Sequence, residues 1–305
     1  MSARRPGAAS PHPYLGYAET IVAACLWGSS GIFAVHLFRR GVSPESVAFL
    51  RPVIGIGLLA AVLGVARPRA LRIDSRALLV LGLGGGVAVG LFQVAYQLSI
   101  EAAGVPATVA LLYLSPPLVA LASGPLLGEW PGARRLVLVA VTVVGVWLSV
   151  MGAEDMRATF DWAGIGWGIL AAVSYASYTL FGRYSAPRYG AVATAVYSTG
   201  SAGLVLAAVL PLLGRPVALP AGTAAWVLIV VFSVLTIAVA QLLFFDALGR
   251  VEASGVSVAS AVEPVVAALL ATTLLDQDLT PLGWLGIALV VSGVAGMGLT
   301  ARPER

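Results

Sequence analysis

Polar and apolar positions along this chain come in blocks rather than in a short alternation. Long apolar runs are separated by small clusters of Arg, Asp, Glu or Pro-Gly. Ten such runs stand out, at roughly 16–38, 44–65, 77–99, 105–127, 135–152, 162–183, 191–213, 222–246, 254–275 and 281–300. A hydrocarbon core about 30 Å thick is crossed by about 20 helical residues, close to the length of each run. The pattern predicts ten membrane-spanning helices. The first run is long, carries no small-residue cleavage site and is followed by nine more, so it reads as a span and not as a removable signal.

Composition agrees and excludes other classes. The 305 residues are 59% hydrophobic and 10% charged, whereas a soluble domain carries about 25% charged residues. A soluble globule, a disordered chain and a collagen are all ruled out. The single cysteine, Cys25, allows neither an intrachain disulfide nor a Cys-based zinc site. It is expected to be a small buried hydrophobe. His12 and His36 are too far apart in sequence to form a metal cluster by spacing, and no metal or cofactor is expected. All eighteen basic residues are arginine, which reads as genome composition. The net charge of +4 points to orientation signals and not to nucleic acid.

Arginine sets the orientation. With odd runs exiting and even runs returning, one side holds Arg4, Arg5, Arg67, Arg69, Arg72, Arg76, Arg134, Arg135, Arg183, Arg188, Arg250, Arg302 and Arg305. The other holds Arg39, Arg40, Arg157 and Arg215. The bias of thirteen to four predicts both termini in the cytoplasm. The acidic loop with Glu154, Asp155 and Asp161 then falls outside.

Shifting the chain by 148 residues aligns it with itself without a gap. Gly16 meets Gly164, Ser29 meets Ser177, Phe33 meets Phe181 and Gly55 meets Gly203. Arg67-Pro68 meets Arg215-Pro216, Gln93 meets Gln241, Pro116 meets Pro264 and Gly145 meets Gly293. Two units of five spans follow. An odd number of spans per unit makes the second enter from the opposite side, which is an inverted-topology repeat.

These residues resemble the drug/metabolite transporter superfamily, in its ten-helix form with two EamA-like repeats. The resemblance rests on Trp27-Gly28-Ser29-Ser30 and the more divergent Tyr175-Ala176-Ser177-Tyr178 in the first helix of each repeat. It rests further on Pro116, Glu129 and Gly145 in repeat one. Repeat two keeps Pro264 and Gly293 but has Gln277 between Asp276 and Asp278 where the acid is expected, and it adds Ala247-Leu248 and Glu263-Pro264. Within the superfamily the chain looks most like bacterial amino-acid exporters of the YddG type. The resemblance implies an all-α integral membrane fold of ten helices. Repeat one covers 16–152, an extracytoplasmic linker 153–161 and repeat two 162–300, with cytoplasmic tails at 1–15 and 301–305.

Transporter sites sit near the bilayer midplane, between repeats and at interrupted helices. Polar residues there face protein or water. Trp27 and Ser30 share a face of span 1, and their equivalents Tyr175 and Tyr178 share a face of span 6. Gln93, Tyr96 and Gln97 lie at i, i+3 and i+4 on span 3, and Gln241 and Phe244 repeat the arrangement on span 8. Aromatic walls with scattered amides and hydroxyls suit an amino acid; the same residues also serve as interhelical hydrogen-bonding groups. Pro116, Pro117 and Pro264 interrupt spans 4 and 9 and are expected to form kinks, either moving or static. Glu263 lies about ten residues into span 9, where an ionised acid costs about 2.5–3.5 kcal/mol. It is read as an amino-group contact, a proton-coupling group or a neutral acid bonded into the kink. Its counterpart is Ser115 and no second mid-span acid completes a relay, so transport is not expected to require a titrating group there. Arg51 is expected to snorkel to the outer interface, with a substrate carboxylate as the other option. Glu129 beside Arg134 and Arg135 reads as an interfacial ion pair, and Glu19 as another. The glycines Gly82, Gly84, Gly85, Gly86 and Gly90 read as helix packing and not as a phosphate loop.

The function taken from this is export of small metabolites, amino acids foremost, from the bacterial cytoplasm across the inner membrane by alternating access. Its partners are a small-molecule substrate and the lipid bilayer, with no nucleic acid. Oligomeric state is left open. The rival reading is efflux of drugs or organic cations with Glu263 as the cation contact. An intramembrane enzyme or receptor is a third class, for which the spans offer no acid-base or metal constellation.

Overall fold

The computed structural model describes residues 13–151, 162–274 and 280–300. Arg4, Arg5, Arg157, Arg302 and Arg305, the acidic Glu154, Asp155 and Asp161, and Asp276, Gln277 and Asp278 lie outside the described residues. Ten helical rods follow one another: α1 (Pro13–Phe38), α2 (Pro44–Ala66), α3 (Ser75–Ala103), α4 (Ala107–Leu127), α5 (Ala133–Met151), α6 (Trp162–Tyr189), α7 (Ala191–Leu212) and α8 (Thr223–Arg250). Then come α9, in two pieces (Ala253–Ala259 and Val262–Leu274), and α10 (Pro281–Thr300). Seven rods are long and apolar enough to cross a bilayer unaided.

Large apolar side chains such as Val22, Leu58, Val62, Leu83, Leu121, Leu204 and Val227 point outward. This is the arrangement of a protein whose surroundings are hydrocarbon. Cys25 is exposed on α1, not buried as expected: in lipid an apolar outer face costs nothing, so hydrophobicity does not report burial.

The rods pack by a pseudo-two-fold rule. α1 lies on α8, and its repeat counterpart α6 lies on α3. α2, α4 and α5 each pack against their own counterparts α7, α9 and α10. The α5–α10 contact is the closest. A Cβ added at Gly286 would sit 2.2 Å from the Ser149 backbone nitrogen, and one at Gly145 would sit 2.8 Å from the Gly286 carbonyl. Without a hydrophobic effect between helices in lipid, such backbone approach supplies the dispersion contact. The glycines of α3 do the same against α7, where Gly85 and Gly86 abut Ser198 and Ser201.

Five rods are irregular. α1 is broken at Ser29, whose hydroxyl donates to the Leu26 carbonyl at 2.6 Å. α3 and α8 each contain a π-helical turn, Val80–Gly85 and Val234–Val239. α4 is broken at Tyr113–Leu114 and α9 at Ser260–Ala261, just ahead of Pro116 and Pro264. Each proline lacks an N–H, and in a continuous helix its ring would strike the carbonyl four residues back. α3 and α4 come together close to where they meet. The Ser99 and Thr108 hydroxyls are 2.8 Å apart, whereas nine residues of straight helix span about 13–14 Å.

Two helices run on past the charges at which the sequence ended them. α6 runs to Tyr189 and α8 to Arg250, several residues past the charges that end the apolar runs. The helices continue because those charges find partners: Arg183 bonds Glu129 and the Leu248 carbonyl, and Arg250 bonds Asp246 and Glu19.

Candidate functional site

The irregular stretches of α1, α4, α8 and α9 free backbone carbonyls inside the bundle, and side chains from other helices take two of them. Trp27, beside the α1 break, donates its indole N–H to the Thr236 carbonyl in the π turn of α8, at 2.7 Å. Tyr113, at the α4 break, donates to the Ser260 carbonyl at the α9 break, at 2.8 Å. Ser260 is the residue four before Pro264, whose carbonyl a proline leaves without its helical donor. Tyr113 therefore joins the break of one repeat to the break of the other. Its hydroxyl also lies 3.4 Å from Glu263 Oε2.

Around these links an aromatic cluster forms. Ring centroids are 5.1 Å apart for Trp27–Phe244, 5.4 Å for Phe92–Tyr175, 5.5 Å for Phe92–Tyr96, 4.9 Å for Tyr175–Tyr178 and 5.6 Å for Tyr178–Phe244. Most pairs are tilted or edge-on, the arrangement that aromatic quadrupoles favour. Of the residues singled out from sequence, Trp27, Tyr96, Tyr175, Tyr178 and Phe244 meet here, drawn from α1, α3, α6 and α8. Ser30, Gln93, Gln97, Gln241 and Glu263 are buried, as are Pro116 and Pro264, while Pro117 is half-buried.

Several polar atoms in this interior have no protein partner. Both amide atoms of Gln97, the Tyr175 hydroxyl and Arg51 Nε are buried and unbonded. The Tyr175 ring lies 4.9 Å from that of Tyr178, yet its hydroxyl closes no hydrogen bond. A buried polar group without a partner costs free energy, so these atoms are the least satisfied part of the interior.

Arg51 does not snorkel. It is only 3% exposed, its Nη2 donates to Gln93 Oε1 at 2.5 Å, and its guanidinium lies 4.8 Å from the Phe232 ring centre. Seven residues into α2, it is held inward by Gln93 on the neighbouring α3 and by the Phe232 ring. Glu129 likewise departs from expectation. It pairs with Arg183 at 2.5 Å and accepts the Ala253 N–H at 3.2 Å, while Arg135 pairs with Glu252. Glu19 does form an ion pair, with Arg250 at 3.3 Å.

The sequence reading passed over Phe92, Tyr113, Phe232 and Thr236. Phe92 had a signal, since it stands at i−4 from Tyr96. Tyr113 had little: its repeat counterpart is Ala261, so a search for repeated chemistry hides it. Thr236 contributes a carbonyl, which no side-chain pattern reveals.

Comparison with known proteins places this geometry. The model of the EamA-like transporter family matches twice, at residues 15–151 and 162–299. The chain is 26% identical over 297 residues to the uncharacterized inner membrane transporter YicL of Salmonella typhimurium, covering 94% of this chain and 96% of that protein. It is 28% identical over 271 residues to the threonine/homoserine exporter RhtA of Escherichia coli, covering 86% and 84%. A solved crystal structure 23% identical in sequence superposes with a TM-score of 0.77 over 94% of this chain and 97% of the other, which shows a shared fold.

Proposed function

Since the chain belongs to the EamA-like transporter family and is a multi-pass membrane protein, we propose that it exports small amino acids from the bacterial cytoplasm. The observation that carries this reading is the cluster where Trp27, Tyr96, Tyr175, Tyr178 and Phe244 close around buried, unpartnered amide and hydroxyl groups. Apolar walls with a few fixed polar atoms are what a small amphiphilic solute requires. The likeness to a threonine/homoserine exporter over 86% of the chain supports amino acids as the class.

The mechanism is alternating access, with the two repeats rocking about this cluster and bending at the breaks beside Pro116 and Pro264. The two ends of the bundle support it. One end is tied by Arg135–Glu252, Arg183–Glu129, Arg250–Glu19 and Arg250–Asp246, the other by Arg215–Glu45. By the arginine bias the first end is cytoplasmic, with both termini on that side; reporter fusions at each terminus check this, and a periplasmic signal at either sinks it.

Glu263 favours a second reading, efflux of organic cations, because it is a buried acid with no basic partner among the described residues. Arg51 in the same interior opposes it, since a cation would meet a fixed positive charge. Proteoliposome counterflow with labelled threonine, homoserine, other amino acids and organic cations separates the two. Uptake of amino acids alone is expected; uptake of cations alone overturns the proposal.

A further inference from the structure

Among the described residues, Arg51 and Glu263 are charged side chains buried in the bundle without an ion-pair partner. Arg51 makes one side-chain hydrogen bond, to the neutral Gln93, and no carboxylate pairs with it among the described residues. Glu263 is 6% exposed; it accepts a long hydrogen bond from the Tyr113 hydroxyl at 3.4 Å, and no arginine among the described residues pairs with it. A guanidinium has five donors in a planar fork suited to a carboxylate. Here its Nε is buried with nothing to bond. A carboxylate has the reciprocal need for donors.

The aromatic cluster links the two groups. Gln93, which holds Arg51, stands one helical turn from Tyr96 of that cluster, and Gly28, next to Trp27 of the same cluster, abuts the Glu263 backbone, where an added Cβ would lie 2.8 Å from the carbonyl. Gln97, with both amide atoms free, is one helical turn from Gln93 on the same helix. The interior thus offers an unpaired cation at one end, an unpaired anion at the other, and tyrosine hydroxyls and an amide between.

We propose that Arg51 and Glu263 are the two poles of a zwitterion site: Arg51, steered by Gln93 and seated on Phe232, receives the substrate carboxylate, and Glu263 receives its ammonium group. The aromatic cluster then takes the substrate's side chain. This rests on the amino-acid export reading and adds to it the residues and the polarity of recognition. It follows that a solute with one of the two charges is a poorer substrate than one with both, and that each residue governs discrimination at one end only. Gln93 is a positioning residue, acting through Arg51.

The test is counterflow by full-length protein in proteoliposomes, with L-threonine, L-threoninamide, which lacks the carboxylate, and 2,3-dihydroxybutyrate, which lacks the amine. Wild-type protein should prefer threonine to both analogues. Arg51→Gln should raise the KM for threonine by about 10- to 100-fold, the range of a charge-assisted hydrogen bond, and leave the KM for threoninamide unmoved. Glu263→Gln should retain counterflow with a raised threonine KM, abolish the preference over dihydroxybutyrate and keep the preference over threoninamide. Arg51→Lys keeps the charge without the fork and should show a smaller loss of the same kind; it replaces Arg51→Gln if that variant is not recovered as monodisperse protein. Threonine and threoninamide weakened equally by either Arg51 variant would mean a structural arginine and overturn the proposal. Unchanged threonine KM in Glu263→Gln would overturn the ammonium half. Wild-type protein that moves threonine without these effects refutes this inference alone, whereas wild-type protein that moves no amino acid refutes the export reading with it.

Discussion

At equivalent positions of the two repeats, Gln93 and Gln241, Pro116 and Pro264, and Gly145 and Gly293 are identical. Arg51, by contrast, corresponds to Thr199, Ser115 to Glu263 and Tyr113 to Ala261. The shared residues set the backbone. Each half breaks its fourth helix just ahead of the shared proline and brings its fifth helix close to its counterpart at the shared glycine, because proline disrupts the helical ladder and glycine leaves room for close approach. The residues that differ carry charge or reach across the interface. A symmetric pair of arginines or of glutamates would place like charges together in a medium of low dielectric, where repulsion is strong. It would also suit only a ligand with two identical ends. The repeats can share a skeleton because packing is satisfied by symmetry; they cannot share charges if the solute between them has unlike ends.

The strongest challenge to this contrast is to disturb the skeleton. Gly145→Val and Gly293→Val put a side chain where a Cβ alone would lie 2.8 Å from the Val290 backbone nitrogen and 2.1 Å from the Thr142 hydroxyl. Both should destabilise by about 3 kcal/mol, the upper range for overpacking, read as a large fall in Tm in detergent. A fall in only one of them would show that the two halves do not share this packing. As a control, Gly57→Ala, with open space around the added carbon, should leave Tm unchanged.

The next challenge moves the charge between repeats. The double variant Ser115→Glu, Glu263→Ser keeps composition and net charge but relocates the acid. Threonine counterflow should fall by about tenfold or more, the cost of one charge-assisted bond, while the protein remains folded. Retained wild-type KM would show that the two positions are interchangeable and the asymmetry incidental.

A smaller effect comes from the tie between the two breaks. Tyr113→Phe deletes the hydrogen bond to the Ser260 carbonyl and should cost about 1 kcal/mol. It should also slow or speed exchange between the two access states, seen as a changed counterflow rate at unchanged KM. If neither Tm nor rate moves, Tyr113 does not couple the repeats.

The smallest belongs to the ends of the bundle. Arg215→Ala removes a pair with Glu45 in which the arginine side chain is half-exposed, and the loss should be below about 1 kcal/mol. Arg183→Ala strips Glu129 of a partner when both side chains are nearly buried, and its effect on Tm should be clearly larger. Equal effects would remove the distinction between a latched end and a loosely tied one.

Much of the fold was legible in the residues, and the reasons are local. Twenty apolar residues in a row, an arginine count on each side and a proline in mid-helix each express a free energy that depends on the chain within a few residues. So the ten rods, their ends to within a few residues and the all-helical class were readable, and most of the aromatic residues that meet in the interior were on the page. Where charges ended an apolar run, as at Arg183, the reading stopped too early, because a charge can stay in a helix when another helix supplies its counter-charge.

Partnership was decided only in three dimensions. Arg51 was expected at the interface, yet Gln93, 42 residues away, and Phe232 hold it inside. Glu129 was expected to pair with its neighbours and instead found Arg183, 54 residues on. Tyr113 and Ser260 are 147 residues apart, and Cys25 turned to the lipid face because burial on a uniformly apolar helix depends on which neighbours surround it. Hydropathy and proline chemistry settle where the chain crosses and where it breaks. Which buried donor meets which acceptor is settled by packing, because a polar group in hydrocarbon must take a partner from whatever element tertiary structure brings within 3 Å or so.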